Sequence, residues 1–241
     1  LTGFWKENYL FELSQHWEMY KFHQKQLKSC DEKIDALLQR QLTQTGHHDL
    51  VYEVPKGQKK KRRQKNDPSF PIEVYAYQLS DGVNLLEIEG ISYRFILTLL
   101  GEVGMDLSDF PKSKNFVSWL SLCPNKKVTG GRVISSRTKK NKNRLRQIFR
   151  QTAIAVGKKK NTALSYFYRR MASKHGKGTA ILATARKLAI TVYNMLTKKQ
   201  SYQPQQLLDY QEKLRNQKIK QVQNTIKKLE IKEEEVSFSH T

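Results

Sequence analysis

The sequence contains no aspartate or glutamate between Phe110 and Leu208, although this stretch holds 23 lysines and arginines. All 22 acidic residues lie outside this acid-free window, residues 110–208. A folded unit keeps so much uncompensated positive charge when a polyanion supplies the opposite charge. Because the window has no carboxylates, it cannot by itself form a two-metal nuclease site or a pair of catalytic carboxylates. Acidic residues from elsewhere in the chain can still fold against it.

Cysteines and long apolar runs are also scarce. Cys30 and Cys123 are too few for a disulfide framework or a cysteine-based zinc site, which suits a reducing cytoplasm. No apolar run approaches the roughly 18 residues of a membrane span, and the start has no signal-peptide pattern. His47 and His48 lack a third ligand, so no metal site is predicted. The net charge of +22 makes nucleic acid the expected partner, with no membrane involved.

Hydrophobic periodicity predicts an all-α protein with four segments. Residues 1–50 are predicted as a helical arm, and residues 51–71 as a basic linker rich in lysine, arginine and proline. Residues 72–200 are predicted as a compact helical domain. Residues 201–241 are predicted as a charged tail that is helical at first and then disordered.

The arm has an apolar seam with alternating steps of three and four residues, interrupted by Gln24 and Asp31. Its apolar members are Leu10, Leu13, Trp17, Tyr20, Leu27, Ile34 and Leu38. Two interpretations stay open at this point. The arm is either an amphipathic helix packed on its own domain or a coiled-coil arm for dimerisation.

Within the compact domain, four stretches have helical spacing. They are Gly90–Gly104, Lys142–Val156, a shorter helix ending at Gly176, and Thr179–Leu196. The stretch EIEGISYRFILTLLGEV also has the pattern of a helix-hairpin-helix element. Its turn at Gly90 could present backbone amides to a phosphate, with Ser92 where a second glycine would strengthen the match. A helix start without a ligand is the equal alternative.

The stretch NKKVTGGRVISSRT, Asn125 to Thr138, combines hydroxyls, basic residues and two adjacent glycines. Gly130 and Gly131 allow backbone N–H groups close to a phosphate, and Thr129 is a candidate hydroxyl nucleophile that needs cationic stabilisation. Further candidate DNA- or phosphate-binding residues are Arg132, Ser135, Ser136, Arg137, Lys139 and Lys140. A phosphate-binding loop or a plain turn remains the alternative, and the spacing of a Walker A loop is absent.

Several blocks in the right order resemble a known family. They are GISYRFILTLLGEVGMDLSDFPKSKNFVSWLSLCPNKKVTGGRVISSRT, NRLRQIFRQTA and FYRRMASKHGKGTAILATARKLAITVYNML. Together they resemble the C-terminal domain of the one-ten (one-sixteen / nine-oh-two) family of bacterial insertion-sequence transposases. The leading helical stretch is similar to the connector that precedes that domain, so the resemblance covers about residues 1–200.

The resemblance implies a DNA recombinase that works as an oligomer, in some members with a structured guide RNA. The family's N-terminal RuvC-like domain carries carboxylates for Mg²⁺, and its C-terminal domain contributes a serine nucleophile. Thr129 stands at that serine position, and its methyl group crowds the approach. The RuvC-like half is absent from this sequence, so we expect no cofactor on this chain.

These observations lead to one expectation and two rivals. We expect a cytoplasmic, nucleoid-associated transposase fragment that binds DNA or RNA, forms a homo-oligomer through the arm, and is inactive in strand cleavage alone. One rival is a non-catalytic basic nucleic-acid-binding protein. The other is an oligomerising fragment that interferes with an intact transposase.

Overall fold

A computed structural model describes residues 6–46, 50–54, 61–65, 67–125, 127–139, 141–204 and 207–228. This part of the chain is all-α, as predicted, with one two-stranded hairpin. The helices are α1 (Glu7–Thr45), α2 (Ile72–Leu79), α3 (Tyr93–Val103), α4 (Ser113–Trp119), α5 (Arg144–Lys158), α6 (Ala163–His175), α7 (Lys177–Lys198) and α8 (Leu207–Lys228). The strands are β1 (Lys127–Thr129) and β2 (Arg132–Ser135), and a single 3₁₀ turn, Leu85–Glu87, precedes α3.

Side-chain caps define where the helices of the compact domain begin. Ser92 Oγ accepts a hydrogen bond from Phe95 N at the start of α3, at 3.3 Å. Asn143 Oδ1 accepts one from Arg146 N at the start of α5, at 2.9 Å. Thr162 forms a capping box at the start of α6. Each cap satisfies backbone donors that have no partner within the helix.

The core of the domain lies where α5 and α7 meet α3, α4 and α6. Three fully buried phenylalanines join these layers through edge-to-face contacts. The ring of Phe149 on α5 lies 4.9 Å from that of Phe95 on α3 and 6.3 Å from that of Phe116 on α4. Such pairs add about 0.5–1.5 kcal/mol each beyond the apolar area they bury.

The burial of the arm's side chains differs along the length of α1. Near its C-terminal end, Leu38 and Leu42 are buried, and the hydroxyl of Tyr75 on α2 donates a hydrogen bond to Asp35. Upstream, seam residues such as Leu13 and Trp17 are 62% and 54% exposed. The last turns of α1 thus pack on their own domain. In the middle of the seam, Lys65 of the linker lies 4.8 Å from the centre of the Tyr20 ring, whereas Leu13 and Trp17 remain largely exposed.

Part of the predicted basic linker is bound to the domain. Lys61 Nζ donates hydrogen bonds to the carbonyls of Ile91, at 2.7 Å, and Ile88, at 3.4 Å. Arg63 forms an ion pair with the buried Glu73 at 2.7 Å. Burial, followed by repulsion from Lys159, lowers the pKa of Lys61 to about 8. These two cations therefore serve the fold; residues 55–60 and Asn66 lie outside the described residues.

The turn at Gly90 packs directly against α5. Gly90 has a φ of +87°, and a Cβ built there would lie 2.8 Å from Val156 Cγ2 and 3.1 Å from Thr152 O. Both distances are shorter than a side chain tolerates without movement, and the positive φ disfavours any residue with a Cβ. Glycine at this position thus allows α3 and α5 to approach.

We predict that Gly90→Ala destabilises the protein by about 2–4 kcal/mol, because it combines backbone strain with overpacking. The matched control is Gly101→Ala within α3, where a Cβ meets nothing within 4 Å. That change should stabilise the helix by about 0.5–1 kcal/mol. Urea unfolding measures both variants, and equal stability of Gly90→Ala and the wild type would contradict the packing role.

Candidate nucleic-acid interface

Most cations of the acid-free window face solvent without an acidic partner. Lys199, one of the described cations of the window, does form an ion pair: its Nζ lies 2.7 Å from Asp81 Oδ2. Most of the others are exposed. The self-repulsion of these charges favours any polyanion that brings negative charge to the surface.

The Thr129–Arg132 segment is the tight turn of the hairpin. Val128 pairs with Val133, and Thr129 pairs with Arg132. Gly130 and Gly131 have φ values of +55° and +74°. Positive φ at both central positions is the signature of a type I′ turn, which glycine adopts without strain. The turn alone therefore accounts for both glycines, and phosphate contact by their amides stays a prediction.

The hairpin protrudes from the domain. Thr129 and Arg132 are exposed, and so are the apolar side chains of Val128, Val133 and Ile134. A two-stranded hairpin without a packed face is marginally stable in water. It therefore depends on its base and on any bound partner for order.

The base of the hairpin is tied to the helices. Asn125 N donates a hydrogen bond to Arg137 O at 3.2 Å, which closes the two ends. Arg146 Nη2 on α5 donates to Thr138 Oγ1 at 3.1 Å. Asn141 Nδ2 donates to Ser121 Oγ at 3.3 Å, next to the end of α4. These bonds fix where the hairpin leaves the domain.

Thr129 lacks the groups that would activate it. Within the described part of the chain, its hydroxyl has no hydrogen-bond partner, and no cluster of three or more histidine, cysteine or acidic residues could hold a metal ion. The acid-free window adds no carboxylate nearby. The described residues around Thr129 thus offer no ligands for the Mg²⁺ that the family resemblance assigns to the RuvC-like domain.

A cavity of about 860 Å³ lies beside the hairpin base, between α5, α6 and α7. We call it the basic groove. Its cations are Arg137, Arg150 and Arg186. Its apolar lining residues are Leu122, Pro124, Phe167, Met171, Leu182 and Ala183, and Ser136, Thr138, Thr179 and Gly178 complete the described lining. The groove thus combines a positive rim with an apolar floor.

A further cation, Arg146, lies next to the basic groove. Arg146 lies one turn before Arg150 on α5, and its Nε is buried without a hydrogen-bond partner among the described residues. Burial and the charge of Arg150 both lower the pKa of Arg146. Two guanidinium groups are thus held close together with no described carboxylate to neutralise them, which favours a bound anion.

The candidate phosphate-binding residues from Thr129 to Lys139 lie at two locations in the structure, the hairpin and the basic groove. Gly130, Gly131, Arg132 and Ser135 lie in the hairpin, together with Thr129. Ser136 and Arg137 line the basic groove, Lys139 is exposed just beyond it, and Lys140 lies outside the described residues.

Gly90 and Ser92 lie apart from this group. Gly90 faces Thr152 on the buried side of α5, whereas Arg150 of the groove is exposed. Residues two positions apart on a helix point about 200° apart. The Oγ of Ser92 caps α3. Packing and capping explain both residues without a ligand, so their phosphate contact stays a prediction.

Sequence reasoning missed the contributions of Arg150, Phe167 and Arg186 to this interface. They lie on separate helices, and nothing in the linear sequence shows that these three helices meet at one cavity. The absence of acidic residues was the one available signal.

A comparison with family models identifies part of the chain. Residues 83–169 match the model of the transposase IS116/IS110/IS902 family. The match confirms the resemblance for this stretch, which we call the transposase segment. It covers just over a third of the 241 residues and is shorter than the resemblance drawn from the sequence. Transposases act on DNA, so the match implies DNA as the partner.

The transposase segment includes the hairpin, Arg150 and Phe167, whereas Arg186 on α7 follows it. No curated protein and no solved structure matches the chain. Of the helices that the structure describes, none is long and apolar enough to cross a membrane.

Proposed function

We propose that this chain provides the DNA-binding and strand-transfer part of a transposase, acting on the bacterial nucleoid in the cytoplasm. One observation carries the proposal: the transposase segment presents Thr129 on an exposed hairpin, beside cations without acidic partners. The hairpin and the basic groove form the contact surface. A structured guide RNA is a second polyanion that the same charge attracts.

In the proposed step, Thr129 Oγ attacks the phosphorus of a phosphodiester. A bond forms between Oγ and phosphorus, and the bond from phosphorus to one deoxyribose oxygen breaks. The threonine proton passes to a base, and the departing oxygen takes up a proton to become a hydroxyl. The acid-free window supplies no carboxylate base. We therefore propose that a separate RuvC-like domain provides the acidic groups and that this chain alone binds DNA without cutting it.

We predict that Thr129→Ser increases covalent protein–DNA adduct when a RuvC-like domain is supplied, because serine lacks the methyl group that crowds the attack. The matched variant Thr129→Val keeps the shape and removes the hydroxyl. It should abolish the adduct, a loss of about 10³-fold or more, with DNA affinity unchanged. Denaturing gel electrophoresis with labelled DNA measures the adduct.

The same variants separate the proposal from its rival, a non-catalytic nucleic-acid-binding protein. A binder held by charge alone should bind DNA with a strong dependence on salt and give no adduct with threonine, serine or valine at position 129. An absence of adduct from Thr129→Ser together with the RuvC-like domain would favour the rival.

We also propose that two copies of the chain associate through the exposed part of α1. The seam residues from Leu10 to Leu27 share one side of this long helix and are about half exposed or more, except Tyr20. Tyr20 stacks on Trp17 at 5.4 Å. An apolar helical face of this kind is normally buried against another helix, and a second copy presents a matching seam. Such an oligomer could also interfere with an intact transposase.

We predict that Leu13→Glu combined with Leu27→Glu converts the oligomer to a monomer, because each change places a charge in the seam. The control is Gln15→Glu, which adds negative charge on the opposite side of α1. Sedimentation equilibrium gives the mass of each variant. A wild-type protein that is already monomeric, or a double variant with unchanged mass, would reject association through this seam.

A further inference from the structure

We propose that the basic groove binds unpaired nucleotides of single-stranded DNA. This inference rests on the proposed function and deepens it, because it assigns the form of DNA that one site recognises. The groove lies beside Thr129's hairpin but is built largely from helices, so it is a site distinct from the nucleophile position.

The rim of the groove suits phosphate. Arg137, Arg150 and Arg186 come from the hairpin base, α5 and α7, and they converge on one cavity. A guanidinium group binds phosphate oxygens through paired hydrogen bonds. The described lining contains no carboxylate that would occupy these arginines. The unpartnered Nε of Arg146, one turn away from Arg150, adds to the positive potential.

The floor of the groove suits bases. Phe167 and Met171 on α6 and Leu182 on α7 line the same cavity with apolar side chains. The ammonium of Lys187 lies 5.1 Å from the centre of the Phe167 ring, which helps to hold the ring in place. Proteins bind single strands by combining such a floor, on which bases stack, with a basic track for the backbone.

The dimensions also favour single nucleotides. A volume of about 860 Å³ lies within the range of pockets that enclose small organic ligands, about 300–1,000 Å³. Bases that are paired in a duplex cannot enter such a cavity until they are unstacked. A base in the groove is therefore an unpaired one.

The groove and the hairpin turn can hold one strand together. Ser136 follows β2 directly and lines the groove, and Thr129 pairs with Arg132, four residues before Ser136. At about 3.3 Å per residue this separation is roughly 13 Å. A single strand seated in the groove can thus extend to the Thr129 hydroxyl, so the groove would hold nucleotides close to the bond that is cut.

The sharpest test fills the groove. Gly178 lies in α7 and lines the cavity, and a Cβ there meets nothing within 4 Å, so Gly178→Leu introduces an apolar side chain at the cavity with an uncrowded attachment point. The matched control is Gly101→Leu, at a helical glycine with equal space but away from the groove. Fluorescence anisotropy with the full chain measures binding of a fully paired duplex and of the same duplex with an unpaired oligothymidine tail.

We expect the wild-type chain to prefer the tailed duplex. Gly178→Leu should weaken tail binding about tenfold, the range expected for losing a stacked base, and leave the blunt duplex unaffected. Gly101→Leu should change neither. Equal affinities of Gly178→Leu and wild type for the tailed duplex would overturn the proposal.

A second pair of variants tests the charge of the rim. Arg150→Gln with Arg186→Gln removes two groove cations, whereas Lys158→Gln with Lys198→Gln removes two exposed cations from the same helices. The first pair should weaken tail binding more than the second. Equal losses would show that only overall charge matters and would overturn the proposal.

Three further outcomes have distinct meanings. A preference confined to an oligouridine RNA tail would overturn the assignment to DNA. Failure of the wild-type chain to bind either duplex would reject the proposed function itself, whereas good duplex binding with no effect of the tail rejects the groove alone.

Discussion

Burial of one face of α5 is the interaction on which the rest of the structure depends. Leu145, Phe149 and Val156 on this face are completely buried, and each side chain of this size contributes about 1.5–3 kcal/mol. The same face receives the turn at Gly90, so it fixes α3 as well. Because this face is fixed, the polar residues of α5 have fixed directions: Arg146 reaches the hairpin base and Arg150 lines the basic groove.

The acid-free window links this architecture to function. A helical domain of this size could neutralise its surface with ion pairs between neighbouring helices, but residues 110–208 provide only cations. The lowered pKa values of Arg146 and Lys187, each caused first by burial and then by a neighbouring arginine, show that cations crowd together in this domain. A bound polyanion relieves that repulsion, and its binding to the folded state alone stabilises the fold. DNA bound to this surface would therefore contribute to stability as well as to the proposed reaction.

The sequence predicts the helices well because their apolar periodicity is local. The pattern at Lys142–Val156, for example, corresponds to Arg144–Lys158 in the structure. The hairpin escaped prediction, although two glycines between β-branched residues are a known signal for a type I′ turn. The groove could not be predicted, because its arginines are far apart in the sequence and meet only through helix packing. The bounds of the four segments remain predictions, and residues 229–241 of the tail lie outside the described residues.

The salt dependence of DNA binding tests the central claim most directly, namely that the unpaired cations of residues 110–208 exist to neutralise phosphates. The logarithm of the association constant of the chain for duplex DNA is measured against the logarithm of salt concentration. Neutralising six or more phosphates predicts a straight line with a slope of about −5 or steeper. A slope shallower than about −2 would show that few cations meet phosphate and would contradict the account.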